Sequence, residues 1–292
     1  MSPRSRVPGT PQAPEPPEPL HGTVIDSHTH LDVHDIDLHG SDLPDADQLL
    51  AAAAQVGVTR VVQIGCDVES ARASVAFART HPTVVAGVAL HPNEAPRLVE
   101  RGGRVALEQA WAAIEALVDD SCVRAVGETG LDYFRTAPEG RAVQQESFRW
   151  HIDLAQRTDR TLVIHDRDSH DDVLAILDEQ GAPERTVFHC FSGDAAMARH
   201  CAERGWFMSF AGVVTYKNND ALREALAVVP DDLVLVETDA PYLTPVPWRG
   251  KPNASYLMPN TVRAMAQVRG VDEATMCAQL TANTVRAFGD WG

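Results

Sequence analysis

Residues 161–189 read TLVIHDRDSHDDVLAILDEQGAPERTVFH. Two short runs rich in β-branched residues, 161–165 and 186–189, flank a segment, 169–180, whose apolar residues recur at helical spacing. Each run ends on a histidine, His165 and His189. Strand, helix and strand in this order read as one unit of a parallel sheet.

The alternation continues in both directions. Strand-like runs fall at 23–26, 60–65, 84–90, 123–127, 206–211 and 233–237, and helix-like segments at 45–56, 69–80, 105–119, 143–158, 195–204, 220–229 and 258–269. Gly57, Gly181 and Gly205 stand where helices should stop. The fold class is therefore α/β, and eight strands favour closure into a TIM-type (β/α)8 barrel over an open doubly wound sheet. The open sheet is further disfavoured because no glycine-rich phosphate loop opens the first strand-to-helix turn. A last helix at 273–288 is expected to pack on the outside.

The chain has 292 residues, 44% hydrophobic and 23% charged. That suits one barrel, which commonly needs about 250 residues. Residues 1–20 carry seven prolines and little apolar sequence. They are expected to form a disordered Pro-rich tail, leaving 21–292 as the hydrolase barrel. There is no apolar leader and no run of the ~18 apolar residues that a membrane span needs, so a soluble, cytoplasmic protein is expected. No obligate protein partner is evident. The five cysteines are scattered without a C-x-x-C pair and read as inert core residues. A net charge of −16 disfavours a nucleic-acid enzyme without excluding one, because bound metal and local basic loops can still attract a phosphodiester.

In a barrel of this type the chemistry belongs at the C-terminal strand ends. The unusual residues fall there. Strand 1 runs into Asp26-Ser27-His28-Thr29-His30, whose histidines at i and i+2 share one face of extended chain. Strand 4 runs into Glu128, strands 5 and 6 end at His165 and His189, and strand 8 runs into Glu237-Thr238-Asp239. Singly, each has an ordinary reading: a surface coincidence, a hydrogen-bonded core histidine, a salt-bridged loop carboxylate, a helix cap. Jointly they put four imidazoles and two carboxylates at one end of one barrel, and burying so many ionisable groups without a metal would be costly. The ligand set suits Zn2+, Mn2+, Fe2+ or Ni2+ better than Mg2+. Six ligands exceed the needs of one catalytic ion, so two ions bridged by Glu128 is the economical reading.

At these residues the chain resembles the TatD family of metal-dependent deoxyribonucleases, within the amidohydrolase-like metal barrels. The likeness runs from about Val24 to Phe288. It is carried by residues 25–31, Leu90-His91-Pro92, residues 127–133, His189-Cys190-Phe191-Ser192-Gly193, residues 237–242 and Arg249-Gly250-Lys251-Pro252-Asn253. The resemblance implies His28, His30 and Asp239 on one ion, His165 and His189 on the other, and Glu128 shared. It also implies a nuclease that trims DNA from an end, often with added Mg2+, so the expected cofactor is two divalent ions, Mg2+, Mn2+ or Zn2+. One departure is Ala254-Ser255, where many relatives carry Glu-Pro after the Asn.

The only lysines, Lys217 and Lys251, fall after strands 7 and 8, where barrels often bind phosphate. Arg135, Arg167 and Arg249 also lie just beyond strand ends, giving an expected substrate collar for DNA, as single strand or ends. Tyr133, Phe134, Tyr242 and Trp248 in the same loops could stack on bases or simply pack as a lid. Asp239 and Glu128 are the expected catalytic residues. The competing reading is an amidase or lactonase for a small molecule on the same two-metal barrel, which the acidic charge favours.

Overall fold

Eight strands with no polar alternation of the one-sided kind lie side by side: β1 (Val24–Thr29), β2 (Val58–Gly65), β3 (Val84–Val88), β4 (Val123–Asp132), β5 (Thr161–Arg167), β6 (Thr186–Phe188), β7 (Phe207–Phe210) and β8 (Val234–Val236). Their residues are almost all buried, as in parallel strands covered on both faces. This is the computed structural model of the chain, which describes residues 13–31 and 45–292. The sheet order is β1 through β8, with every pairing parallel. A Thr29–Ala240 bridge brings the β8 end back to β1, so the barrel is nearly closed.

Each strand is followed by a helix: α1 (Ala46–Gln55), α2 (Val68–Ala78), α3 (Glu94–Val118), α4 (Pro138–Thr158), α5 (His170–Gln180), α6 (Ala195–Glu203), α7 (Asp220–Val228) and, after β8, α8 (Met258–Arg269). Asp45, Asp67, Asp194 and Asp272 cap helix starts through side-chain bonds to free amides, which uses part of the acidic excess structurally. Gly57, Gly181 and Gly205 have positive φ, as helix stops require. α3 begins eleven residues before the expected 105 and breaks at Gly103 (φ 69°, ψ −169°). The Gly102-Gly103 pair interrupts the apolar period there and hides the first segment. α4 starts on Pro138 rather than 143, because proline is at ease in a first helical turn.

α9 (Glu273–Phe288) packs beneath the barrel more than beside it. Thr281 Oγ1 donates to the Thr23 carbonyl (2.6 Å), Asn283 Nδ2 to that of Val234 (2.8 Å), and Thr161 Oγ1 donates to the Ala287 carbonyl (2.5 Å). Residues 13–20, the described part of the expected tail, are also docked. Leu20 is buried and its amide donates to the Val56 carbonyl (3.1 Å), Tyr256 donates its hydroxyl to Pro14 (2.9 Å), and Arg263 donates to Glu18 and Pro19. Alternating prolines gave no periodic signal for this docking, since the anchors are carbonyl acceptors and one leucine. Residues 1–12 of that tail lie outside the described residues. No helix among the described residues is long and apolar enough to cross a membrane.

Candidate metal centre

β4 and β5 run further than the sequence suggests, and this sets the centre. Gly130 lies opposite His165 in the β4–β5 ladder, where an added Cβ would stand 2.1 Å from the His165 carbonyl oxygen. Only glycine lets the strands stay this close, so Glu128 projects from within a strand rather than from a loop. His28 projects from β1 and His30 from just beyond it. The Asp239 amide donates to the His28 carbonyl (2.9 Å) and the His30 amide to that of Ala240 (2.8 Å), tying the β8 turn to the histidine pair.

The six residues named from sequence converge as two groups. His28 Nε2 and His30 Nε2 are 3.3 Å apart, with Asp239 Oδ1 at 3.8 and 3.5 Å and Glu128 Oε1 at 3.8 and 3.7 Å from them. His165 Nδ1 and His189 Nε2 are 3.2 Å apart, with Glu128 Oε2 at 3.1 and 2.8 Å. Glu128 thus turns one oxygen to each group. The His28 and His189 rings stack at 3.9 Å across the divide.

Neighbours fix which nitrogen faces inward. His30 Nδ1 is 3.0 Å from the Ile64 carbonyl and His189 Nδ1 is 3.2 Å from Glu237 Oε1, so in each the proton sits on Nδ1 and the Nε2 lone pair faces the centre. The buried Nδ1 of His28 has no hydrogen-bond partner, so its proton sits on Nε2 and is accepted by His30 Nε2 at 3.3 Å. Imidazole nitrogens and carboxylate oxygens crowded this closely are a donor set that fits divalent ions. Clustered ligating atoms within 4.8 Å include His28, His30 and Glu128, and Glu128, His165 and His189.

Burial, reinforced by nearby His189, holds His28 well below the usual histidine range. Burial alone would raise Glu128, but His189 and His165 outweigh it and hold the carboxyl well below the ordinary value. Burial opposes charge on His189 too, yet Glu128 and Glu237 lift it well above the usual range, so a positive charge is favoured at its Nε2, where a cation would stand in for the proton.

Several residues around the centre carry roles the sequence reading did not assign. The Cys66 thiol donates to Glu128 Oε1 (3.3 Å), and Cys66, Cys122 and Cys190 are only partly buried, so of the five expected core cysteines only Cys201 and Cys277 are fully buried. Cys190 has φ 42° and lies just past the end of β6. Asp26 accepts from the Thr238 amide and hydroxyl and from Ser255 Oγ (2.7 Å), linking β1 to the β8 turn. Ser255 belongs to the stretch that departs from the family pattern. His91 packs edge-on against His165 (4.6 Å), and Asp132 Oδ2 lies 3.5 Å from His165 Nε2. His91, Asp132 and Glu237 all lie in motifs visible in sequence; what was missing was the neighbour each one orients.

The five cations named from sequence are not part of the buried cluster. Arg135 follows β4, Arg167 ends β5, Lys217 follows β7, and Arg249 and Lys251 lie in the long turn after β8; all are exposed. Tyr242 approaches His30 at 6.4 Å between ring centres, and Tyr133 donates its hydroxyl to Asp172 (2.5 Å).

The model of the family described as TatD related DNase matches residues 25–289. The chain is 43% identical over 270 residues to the "Uncharacterized metal-dependent hydrolase TatD" of Mycobacterium tuberculosis, covering 91% of this chain and 98% of that one. It is 36% identical over 269 residues to the metal-dependent hydrolase YcfH of Escherichia coli K12, covering 91% and 95%. Among solved structures, the TatD homologue YjjV of Escherichia coli K12 superposes with a TM-score of 0.80 at 28% identity, covering 91% of this chain and 98% of that one. With strand order, inward-facing nitrogens and sequence all in agreement, the chain belongs to the TatD-related DNase family and is a metal-dependent hydrolase.

Proposed function

We propose that this chain is a deoxyribonuclease that hydrolyses phosphodiester bonds with two divalent ions, trimming single-stranded DNA from an end. The observation that carries the reading is the Glu128 carboxylate, with Oε1 toward the His28, His30 and Asp239 group and Oε2 toward His165 and His189. One carboxylate between two sets of ligands is the arrangement that two ions bridged by Glu128 need. The family description supplies the DNA.

In this reading His28, His30 and Asp239 would hold one ion and His165 and His189 the other, with Glu128 placed to reach both. When bound, such a pair supplies Lewis acidity that offsets charge on the attacking and leaving oxygens of the phosphoryl group. Asp239 accepts the proton of the attacking water as general base. Glu237 and the Ile64 carbonyl hold His189 and His30 in the tautomer that leaves Nε2 free. Lys217, Lys251, Arg135, Arg167 and Arg249 hold the strand.

The test is metal-loaded protein against 5′- or 3′-labelled single-stranded DNA, with a panel of lactones and amides beside it. A ladder shortening from one end, lost in Asp239→Asn, is the expected result. Turnover of a lactone or amide with intact DNA would overturn the nuclease reading.

A further inference from the structure

Three of the four imidazoles at the centre have an outer neighbour that fixes them. The Ile64 carbonyl is 3.0 Å from His30 Nδ1, Glu237 Oε1 is 3.2 Å from His189 Nδ1, and Asp132 Oδ2 is 3.5 Å from His165 Nε2. His28 is the exception. Its ring is fully buried, and its Nδ1 has no hydrogen-bond partner among the described residues. One carboxylate oxygen is orphaned in the same way. Glu237, also fully buried, uses Oε1 for His189 Nδ1 and for the Cys190 amide (2.8 Å), while its Oε2 has no partner.

The two residues belong to one cluster. Ligating atoms of His28, His189 and Glu237 lie within 4.8 Å of one another. The His28 and His189 rings stack at 3.9 Å and 14° apart, with both Nε2 atoms toward Glu128, at 3.8 and 2.8 Å. Glu237 directly follows β8, and the Asp239 amide ties the turn after it to the His28 carbonyl (2.9 Å). The Ser209 hydroxyl beside Glu237 does not satisfy Oε2. Ser27 Oγ donates to the Val236 carbonyl (2.9 Å), so in the Ser27–Ser209 pair (2.9 Å) Ser209 is the donor and its proton is already engaged.

The tautomer of His28 decides what Oε2 is for. With its proton on Nε2, the ring needs no acceptor at Nδ1. An ion held by Nε2 takes the place of that proton, and the neutral ring then carries its proton on Nδ1, where a buried N–H requires an acceptor. We propose that Glu237 is a positioning residue for both ion groups, its Oε1 holding His189 and its Oε2 accepting the Nδ1 proton of His28 when Nε2 binds a divalent ion. One carboxylate behind the stacked histidines then matches Glu128 in front of them. The proposal rests on the two-ion reading above and adds a residue to it.

Glu237→Gln separates this role from one toward His189 alone. The Cys190 amide donates to the Oε1 position, so the glutamine places its carbonyl oxygen there and keeps the His189 contact. Its NH2 then stands at the Oε2 position, where it can meet only a bare Nδ1 of His28. The measurement is calorimetric titration of chelator-stripped full-length protein with Zn2+, with long-range 1H–15N correlation of the histidine rings before and after loading. In wild type the His28 proton is expected to move from Nε2 to Nδ1 on loading. Glu237→Gln is expected to weaken one of two zinc steps about tenfold or more and to leave the other unchanged, whereas Glu237→Ala weakens both. Thermal melts of the stripped variants control for folding. With two zinc steps in wild type, a Glu237→Gln protein that matches it in both, equal weakening of both, or a His28 ring that keeps its proton on Nε2 after loading would overturn the role at His28 and leave the two-ion reading in place. A single zinc step in wild type would overturn both together.

Discussion

Glu237 Oε1 lies 3.2 Å from Nδ1 of His189, and this contact decides which face of the ring meets Glu128. An alanine at 237 removes the oxygen that accepts from His189 Nδ1 and from the Cys190 amide, so nothing holds the His189 proton on Nδ1. Glu237→Ala should therefore weaken metal binding at the His165 and His189 group about 10–100-fold, the usual cost of losing such a partner. Turnover at saturating metal should fall much less. A metal titration of both proteins checks it, and equal affinities would remove the orienting role.

Glu128 makes the stronger demand. If it serves both ion groups, Glu128→Ala should lower the bound metal below two ions per chain and abolish turnover. The barrel should stay folded, because its packing lies below the catalytic face. Metal analysis and circular dichroism on the same sample decide the matter, and loss of fold with full metal content would contradict the bridging role.

How far the sequence carried can be read from particular residues. His28, His30, His165, His189 and Asp239 were legible because a strand-end rule turns the linear order of eight runs into a spatial prediction. Glu128 was legible as a member of the cluster but not as a strand residue. Its position depends on Gly130 letting β4 run on against β5, a close approach with no periodic signature. Cys66 escaped because its importance is a contact between β2 and β4, and an isolated cysteine carries no spacing to read. The docking of residues 13–20 escaped for the same reason. Patterns within one element are written in the chain, whereas single contacts between elements are not.

His151 gives the fold an acid limit. Its Nδ1 donates to the Ser147 carbonyl (2.7 Å) and its Nε2 accepts from the Leu90 amide (3.1 Å), so the ring is held neutral. Burial pushes its pKa down to about 4 from the 6.5 usual for histidine. Between these values the unfolded chain binds a proton and the folded one does not. The stability this group contributes is thus complete above pH 6.5 and is lost as pH falls toward 4, at most about 3 kcal/mol in all. His151→Gln should show a shallower fall in melting temperature between pH 7 and pH 5 than wild type. Parallel curves would mean that other groups set the acid limit.

Truncation should have two regimes. Removing residues 1–12 should leave melting temperature and turnover near wild type. Removing residues 1–20 should cost about 2–4 kcal/mol of stability, through lost burial of Leu20 and lost bonds to Tyr256, Arg263 and Val56. Turnover of the folded fraction should remain, since none of these contacts includes a metal-ligand candidate. Identical melts for the two truncations would show that the docked segment contributes nothing to stability.

Lys217 and Lys251 are the only lysines in the chain, and neither has a carboxylate partner among the described residues. If each holds a phosphate of the DNA, replacing it with alanine removes one contact whose counterion is otherwise released on binding. For a single strand, each lost contact should reduce the slope of log binding constant against log salt by about 0.7. Affinity should fall more than turnover at saturating DNA, because these groups position the strand while bond cleavage depends on the centre around Glu128. An enzyme for small neutral esters or amides would instead show no steep salt dependence in wild type and little change in either variant. The measurement is the binding constant of a short single strand across a salt series, in the Asp239→Asn background. Slopes that match between the lysine-containing protein and both alanine variants would remove the phosphate role from these two residues. A slope that falls in one variant alone would assign the contact to that lysine and to its loop.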